Sequence, residues 1–158
     1  MGNTKTNVMR ILDKEKISYN IFTYDNRDGL IDGISVASKI EQPVEKVFKT
    51  LVTRGLKGEH YVFVIPVAHD LDLKKAARVV EEKSIEMIKA SDITKVTDYI
   101  RGGCSPIGMK KMYKTIIDNS CQNLDRIIVS AGKIGYQIEI APKDLLRIVK
   151  GEIKEVIL

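Results

Sequence analysis

The chain has 158 residues, a length that suits one domain, 1–158, able to fold without a disulfide or a structural metal. Apolar residues at 44% and charged residues at 30% exclude a disordered chain, and no apolar run approaches the roughly 18 residues of a membrane span. The net charge of +5 is well mixed along the chain, and it permits a polyanionic partner such as RNA without demanding one.

The first predicted element is a helix over 4–16. Thr4 or Thr6 can cap it, and Val8, Ile11 and Leu12 share one face. The opening "MGNTKTNVMR" lacks the apolar centre of a secretory signal, and Gly2 matches a myristoylation start only loosely. Cys104 and Cys121 are not spaced as metal ligands, so reduced thiols in a cytosol are expected. "SYNIFTY" (18–24) reads as a strand and "NRDGLIDG" (26–33) as a polar loop. Ser35 can cap a short helix through Glu41, which stops before Pro43.

Two strands follow, "VFKTLVTR" (47–54) and "YVFVIPV" (61–67), with "GLKGEH" as a hairpin-like connection. Asp72 caps the helix "LKKAARVV", and "KSIEMIKA" predicts a second short helix. "SDITKVTDYI", capped at Ser91 or Asp92, leads into the loop "RGGCSPIGMKK" (101–111). Strands are expected at 112–118, 126–131 and 136–141. Pro142 then opens the helix "KDLLRIV", and "IKEVIL" closes the chain as a strand. This order is not regular βαβ alternation. It predicts an α+β domain with a curled, mostly antiparallel or mixed sheet. "GGCSPIG" lacks the GK[ST] ending of a phosphate loop and precedes a strand instead of a helix.

Three stretches attract chemistry. In "VFKTLVTR" both strand faces are largely apolar, and Lys49 breaks the pattern. An unpaired buried ammonium needs a partner, water or ligand, although an edge-strand lysine that discourages aggregation has the same pattern. In "IIVSAGKIGYQIEI", the small residues Ser130, Ala131 and Gly132 leave backbone open to a ligand or simply form a hairpin turn. In the 101–111 loop, Gly102 and Gly103 permit unusual backbone. Lys110, Lys111 and Lys114 can hold phosphates or form a solvated face. Cys104 lies among lysines that would lower a thiol pKa, but a lone Cys after two glycines also fits a small packing residue. His60 and His69 form no Cys-His signature, and no zinc, triad or paired-carboxylate pattern is present.

Taken together, "FKTL" (48–51), "LDLKKAA" (71–77), "GGCSPIGMKK" (102–111) and "VSAGKIGYQIEIAP" (129–142) resemble the YbaK family in order and spacing. These are free-standing Cys-tRNA(Pro) deacylases related to the editing insertion domain of bacterial prolyl-tRNA synthetases. The resemblance spans nearly the whole chain. It implies a small mixed, mostly antiparallel β-barrel-like sheet with flanking helices. It also implies trans-editing hydrolysis of Cys-tRNA(Pro), extending to Cys-tRNA(Cys), with no cofactor or metal.

The implied chemistry is substrate-assisted: the thiolate of the bound cysteine attacks its own ester carbonyl, so no protein nucleophile is needed. By resemblance Lys49, Ser130 and Gly132 carry the reaction. Tyr24, Thr50, Gly102, Gly103 and Ala131 wall the substrate, and Lys110, Lys111, Lys114 and Lys133 meet the tRNA backbone. The implied partners are tRNA(Pro) charged with cysteine and, transiently, prolyl-tRNA synthetase, in the cytoplasm, with neither membrane nor DNA. The usual VSGG is VSAG here, so the extra methyl of Ala131 is expected to alter the pocket. Deacylation of another small residue, as in Ala-tRNA(Pro), and a non-catalytic tRNA-binding adaptor are the alternatives.

Overall fold

The computed structural model describes residues 5–158, so Gly2 and the alternative cap Thr4 lie outside the described residues. The first helix, α1 (Asn7–Lys14), is capped by Thr6, whose Oγ1 accepts from Met9 N at 3.2 Å. The strand β1 (Asn20–Thr23) and the helix α2 (Gly33–Lys39) follow. The cap of α2 is Asp32 and not Ser35: its carboxylate accepts from the Ser35 backbone and hydroxyl. A carboxylate presents two acceptors to the first turn, and here both are used on one residue.

The hairpin β2 (Phe48–Gly55) and β3 (His60–Pro66) runs in full antiparallel register from Phe48–Pro66 to Arg54–His60. Its connection turns on Gly58, at φ +91°, a backbone shape that glycine adopts without strain. Asp72 caps α3 (Leu73–Val79) through bonds from Lys74 N and Lys75 N.

The predicted second helix at "KSIEMIKA" is absent. Its centre is the strand β4 (Ile85–Met87), paired antiparallel with Thr53–Gly55 of β2. The chain leaves α3 through Glu81 in a left-handed conformation, φ 62°, and then meets the free edge of β2. A row of unpaired backbone groups there outweighs the weak stability of a helix of two turns. After a short α4 (Ile93–Thr97) and the long loop come β5 (Lys114–Asp118), β6 (Ile127–Lys133) and β7 (Tyr136–Ile140). Pro142 opens α5 (Pro142–Val149), and β8 (Glu152–Lys154) is shorter than the expected terminal strand.

The α+β class holds, with two sheets in place of a barrel. The larger has the order β4-β2-β3-β5-β8, antiparallel around β2 and parallel on both sides of β5; the smaller is β1-β7-β6, all antiparallel. They join through one parallel bridge, Val47 to Ile128. Closing a barrel requires paired edges all round. Here the three-residue edge strands β4 and β8 find no partner in the small sheet.

Side-chain alternation along β3 builds two cores. Phe63 and Ile65 face α3 and pack with Ala76, Ala77 and Val80. Val64 faces the small sheet and packs with Phe48, Val129, Ile138 and the helices α1 and α5. A third cluster sits at the seam, where Ala37 and Ile40 of α2 meet Val47, Val67 and Ile128.

The fully buried Asp118 ties the C-terminal segment to β5, accepting from Val156 N at 3.0 Å and Ser120 N at 3.1 Å. Asp118→Ala leaves the buried Val156 N–H without its partner and should lower stability by about 1–3 kcal/mol. The check is urea unfolding, where the midpoint should fall while the slope is retained.

Candidate active site

Just beyond the bridge, β2 and β6 part, and a cavity of about 170 Å³ opens between them. Phe48, Lys49 and Thr50 come from β2, Ser130 from β6 and Gln137 from β7. Ile31, Gly33 and Val36 close it from the α2 side, and Gly102 and Cys104 come from the long loop. Gly33 is required by packing, because a Cβ there would lie 2.2 Å from Val67 Cγ1.

Lys49 is half-buried and takes part in none of the ion pairs among the described residues. Nearby lysines differ: Lys39 is held by Asp28 at 2.7 Å, and Lys46 pairs with Glu139. Glu139 also accepts from Asn20 at 2.7 Å. Burial pushes its carboxyl up, but the bonds from Lys46 and Asn20 outweigh that and hold it below the usual value. Glu139 therefore staples β1 and the entry to β2 onto β7, and the ammonium of Lys49 is left for the cavity.

Two hydroxyls are spare. Thr50 Oγ1 is buried with no hydrogen-bond partner. Ser130 Oγ accepts from Gly132 N at 3.1 Å, which leaves the hydroxyl proton of Ser130 free to donate. The same bond occupies the Gly132 N–H. Gly132 sits at φ +90°, and a Cβ there would meet Tyr99 and Val8 at 3.0 Å, so it is packed against the α1 side.

The remaining expected wall residues divide. Gly102, at φ +89°, lies against Ile31, where a Cβ would come within 2.5 Å of Ile31 Cδ1. Gly103 packs against the 133–135 turn, a Cβ there falling 3.1 Å from Ile134 N. Ala131 is fully buried in the core with Val8 and Met9, so its methyl group packs there and does not line the cavity. Tyr24 lies behind the wall, packed on the seam cluster under Lys39, which is 5.7 Å from the ring centroid; its hydroxyl is buried without a partner. Ser130 to Gly132 also form part of β6, bulged before Lys133, and the hairpin turn comes later, at Ile134–Gly135.

Gln137 was not anticipated. It is buried, lines the cavity and pairs directly with Ser130 across β6 and β7. The alternation of "YQIEI" does signal it, since Gln137 and Glu139 share a face opposite Ile138 and Ile140.

The lysines divide as well. Lys114 pairs in register with Tyr61 and Lys49 with Ile65. That puts Lys114 about 13 Å farther along the sheet, at about 3.3 Å per residue. Lys110 Nζ reaches Lys95 O at 3.4 Å. Lys95 also lines a second cavity of about 390 Å³ with Arg54, His60, Glu86 and Lys89. There, burial first and then Arg54 hold the His60 imidazole below its usual pKa. Lys133 stays near the first cavity, beside the turn that receives Gly103, with Nζ 5.4 Å from the Tyr136 ring centroid.

Cys104 lines the cavity, but burial pushes its thiol up to about 11, only partly opposed by a hydrogen bond from Thr97. At neutral pH it is an uncharged thiol, a poor nucleophile. Cys121 is buried and likewise pushed up to about 11. The folded protein should therefore resist iodoacetamide at pH 7–8 and label rapidly in urea, as read by mass spectrometry. Fast labelling of Cys104 in the folded state would return it to the nucleophiles.

The family model described as "Aminoacyl-tRNA editing domain" matches residues 33–148. A protein of Enterococcus faecalis with the provisional name Cys-tRNA(Pro)/Cys-tRNA(Cys) deacylase EbsC is 42% identical over 152 residues, covering 96% of this chain and 93% of the relative. A proline–tRNA ligase of Staphylococcus epidermidis is 27% identical over 101 residues, covering 64% of this chain and 18% of the ligase. A crystal structure of a protein provisionally described as a trans-editing enzyme for prolyl-tRNA synthetase superposes with a TM-score of 0.82, at 19% identity, over 98% of this chain and 99% of that one.

Proposed function

The chain belongs to the aminoacyl-tRNA editing domain family, and from that premise we propose that it deacylates Cys-tRNA(Pro) in trans and extends the same chemistry to Cys-tRNA(Cys). The observation that carries this reading is a Lys49 without an ion pair among the described residues, lining a small cavity with Ser130, whose hydroxyl is free to donate. The cavity offers cationic and neutral donors, a neutral thiol and no histidine. Such a site can orient and polarise an ester, but it has no activated nucleophile of its own.

A cysteinyl ester brings its nucleophile with it. Its thiolate attacks the carbonyl carbon, the carbon–sulfur bond forms, and the terminal ribose oxygen leaves and takes a proton. The product is a cyclic thioester of cysteine, which water then opens. Lys49 holds the ester or the ribose through charge-assisted hydrogen bonds. The Ser130 hydroxyl donates to the oxygen on which charge develops, Gln137 orients the aminoacyl group, and Thr50 contributes to the wall. Gly102 shapes the wall, Gly103 seats its loop, and Gly132 holds Ser130 in place. Tyr24 supports the wall from behind, and Ala131 contributes core packing. Lys133 meets phosphate near the acceptor end, and Lys110, Lys111 and Lys114 meet the backbone farther along the RNA. A transient complex with prolyl-tRNA synthetase, in the cytoplasm, would deliver the mischarged tRNA. Retuning toward alanine had its motive in Ala131, and with that methyl in the core the cysteine reading is favoured.

Purified protein should release cysteine from Cys-tRNA(Pro) and leave Ser-tRNA(Pro) intact; equal hydrolysis of the two would exclude the thiol-assisted route. Lys49→Ala should lower kcat/KM for Cys-tRNA(Pro) by about a hundredfold, the loss of a hydrogen bond to a charged group, with an unchanged thermal midpoint. An active Lys49→Ala protein would remove this lysine from the reaction.

A further inference from the structure

We propose that the second cavity, lined by Arg54, His60, Lys89 and Lys95, is a phosphate subsite that seats the RNA backbone where the unpaired 3′ end joins the acceptor stem. The proposal rests on the deacylase reading and fixes where the substrate's acceptor strand runs from the ester.

The two cavities share their walls. Thr50 lines the first and Arg54 the second, and both stand on one face of β2, four residues apart. The other shared wall is a single stretch of chain. Asp92, Lys95 and Val96 line the second cavity, and Gly102 and Cys104 line the first. From Thr50 to Arg54 the strand advances about 13 Å, at roughly 3.3 Å per residue. The unpaired end of a tRNA, about four nucleotides at roughly 3.4 Å each when stacked, spans about 14 Å. With the ester at Lys49, the phosphates at the base of that end fall at the second cavity.

Room and charge both suit a phosphate. The second cavity holds about 390 Å³, within the roughly 300–1,000 Å³ of pockets that enclose a small ligand. Its lining holds three cations, Arg54, Lys89 and Lys95, against two carboxylates, Glu86 and Asp92. Two more lysines border it: Lys110 Nζ reaches Lys95 O at 3.4 Å, and the charge of Lys111 acts on His60. None of these four lysines takes part in an ion pair among the described residues. Arg54 meets Glu86 at 3.6 Å, with both side chains more than half exposed. Such a pair contributes little, so the guanidinium is available to a phosphate.

His60 registers the same excess. Burial is the first cause that holds its imidazole below the usual pKa, and Arg54 is the second; Lys111 adds to them, while Glu59 and Asp92 oppose. At neutral pH the ring is an uncharged N–H donor. It stands edge-on to Tyr113, with centroids 5.7 Å apart, and the Tyr113 hydroxyl donates to Val96 O at 2.7 Å. A wall fixed in this way loses less entropy when a ligand arrives.

The lining also selects the ligand. Among the described residues no group of three histidine, cysteine or carboxylate side chains is placed to hold a metal ion, so Glu86, Asp92 and His60 are not a cation site. The core of a protein interface is depleted in charge and in lysine, whereas five of the nine residues lining this cavity are charged. A phosphodiester backbone, held without regard to base identity, fits such a lining.

The test is an Arg54→Gln/Lys89→Gln/Lys95→Gln variant beside a control that loses the same charge, Lys14→Gln/Lys143→Gln/Lys154→Gln, whose lysines are exposed on α1, α5 and β8. Binding of uncharged tRNA(Pro) is measured across salt concentrations. Rates are measured on Cys-tRNA(Pro) and on 3′-cysteinyl-adenosine, which is too short to reach the second cavity. The variant should weaken tRNA binding and raise KM for Cys-tRNA(Pro) by about tenfold, and flatten the slope of log Kd against log salt by about 1 or more. Its kcat, its KM for the adenosine ester and its thermal midpoint should match wild type. Unchanged tRNA affinity overturns the subsite, even where inorganic phosphate binds the wild type and not the variant, since the cavity would then serve a free anion. An equal loss in the control overturns it too, as does an equal rise in KM on the adenosine ester. So does a variant whose only defect is lost association with a synthetase, which would make the cavity a protein contact. A wild type that binds tRNA(Pro) but hydrolyses neither cysteinyl ester sinks the deacylase reading itself, and its salt slope still tests the subsite.

Discussion

Among the described residues the two sheets are joined by one parallel bridge, Val47 to Ile128, and the cavity opens beside it. At the bridge the backbones are in hydrogen-bonding range. One step later β2 follows β3 into the large sheet while β6 follows β7 into the small one. A cavity opens where the strands part. Phe48, Lys49 and Thr50 approach it from one sheet, Ser130 and Gln137 from the other. The seam cluster of Ala37, Ile40, Val47, Val67 and Ile128 sets how far the sheets diverge. A closed barrel would have removed the gap, so the incomplete closure and the cavity are one feature.

Within that gap, Cys104 and Lys49 stand in contrast. Burial disfavours charge on any side chain, and for Cys104 the result is a thiol that stays protonated at neutral pH. Lys49 has no carboxylate partner among the described residues, although Glu139 and Asp28 are bonded to its neighbours Lys46 and Lys39. An unneutralised ammonium in a narrow cavity is costly unless water or a ligand solvates it. Pairing Lys46 and Lys39 locks the walls and leaves Lys49, among the described residues, as a cavity-lining ammonium without an ion pair.

How much of this was legible depended on whether local sequence or distant pairing decided. The intrusion of Lys49 into an apolar strand was visible because strand alternation is local, and so were the Asp72 cap and the β2–β3 hairpin. The segment 83–90 failed because its conformation is set by the free edge of β2, some thirty residues earlier, which no local pattern reveals. Ala131 was legible as a small residue beside the site. Its direction was not, because only the register of β6 on β7 and the packing of α1 turn its methyl into the core. For Gln137, alternation shows the face it shares with Glu139, and only its ladder partner Ser130 shows that this face meets the cavity.

The loop "RGGCSPIGMKK" suggested catalysis because it places a thiol among glycines and lysines, and the structure gives it another task. Its middle is anchored inward. Ser105 is fully buried and its Oγ accepts from Ile107 N at 3.3 Å, while the Tyr99 hydroxyl donates to Ile107 O. Tyr99 is in turn fixed by its backbone N–H to Thr97 Oγ1 at 3.0 Å. With these anchors in the core, the two glycines ride over Ile31 and Ile134 at distances that no Cβ would permit without displacement. A loop so fastened behaves as part of the wall. Gly102 and Cys104 line the cavity, and the thiol stays neutral there. Rigid placement of a small opening is what an enzyme needs when the substrate supplies its own nucleophile, because the remaining barrier is chiefly one of orientation and charge on the carbonyl oxygen.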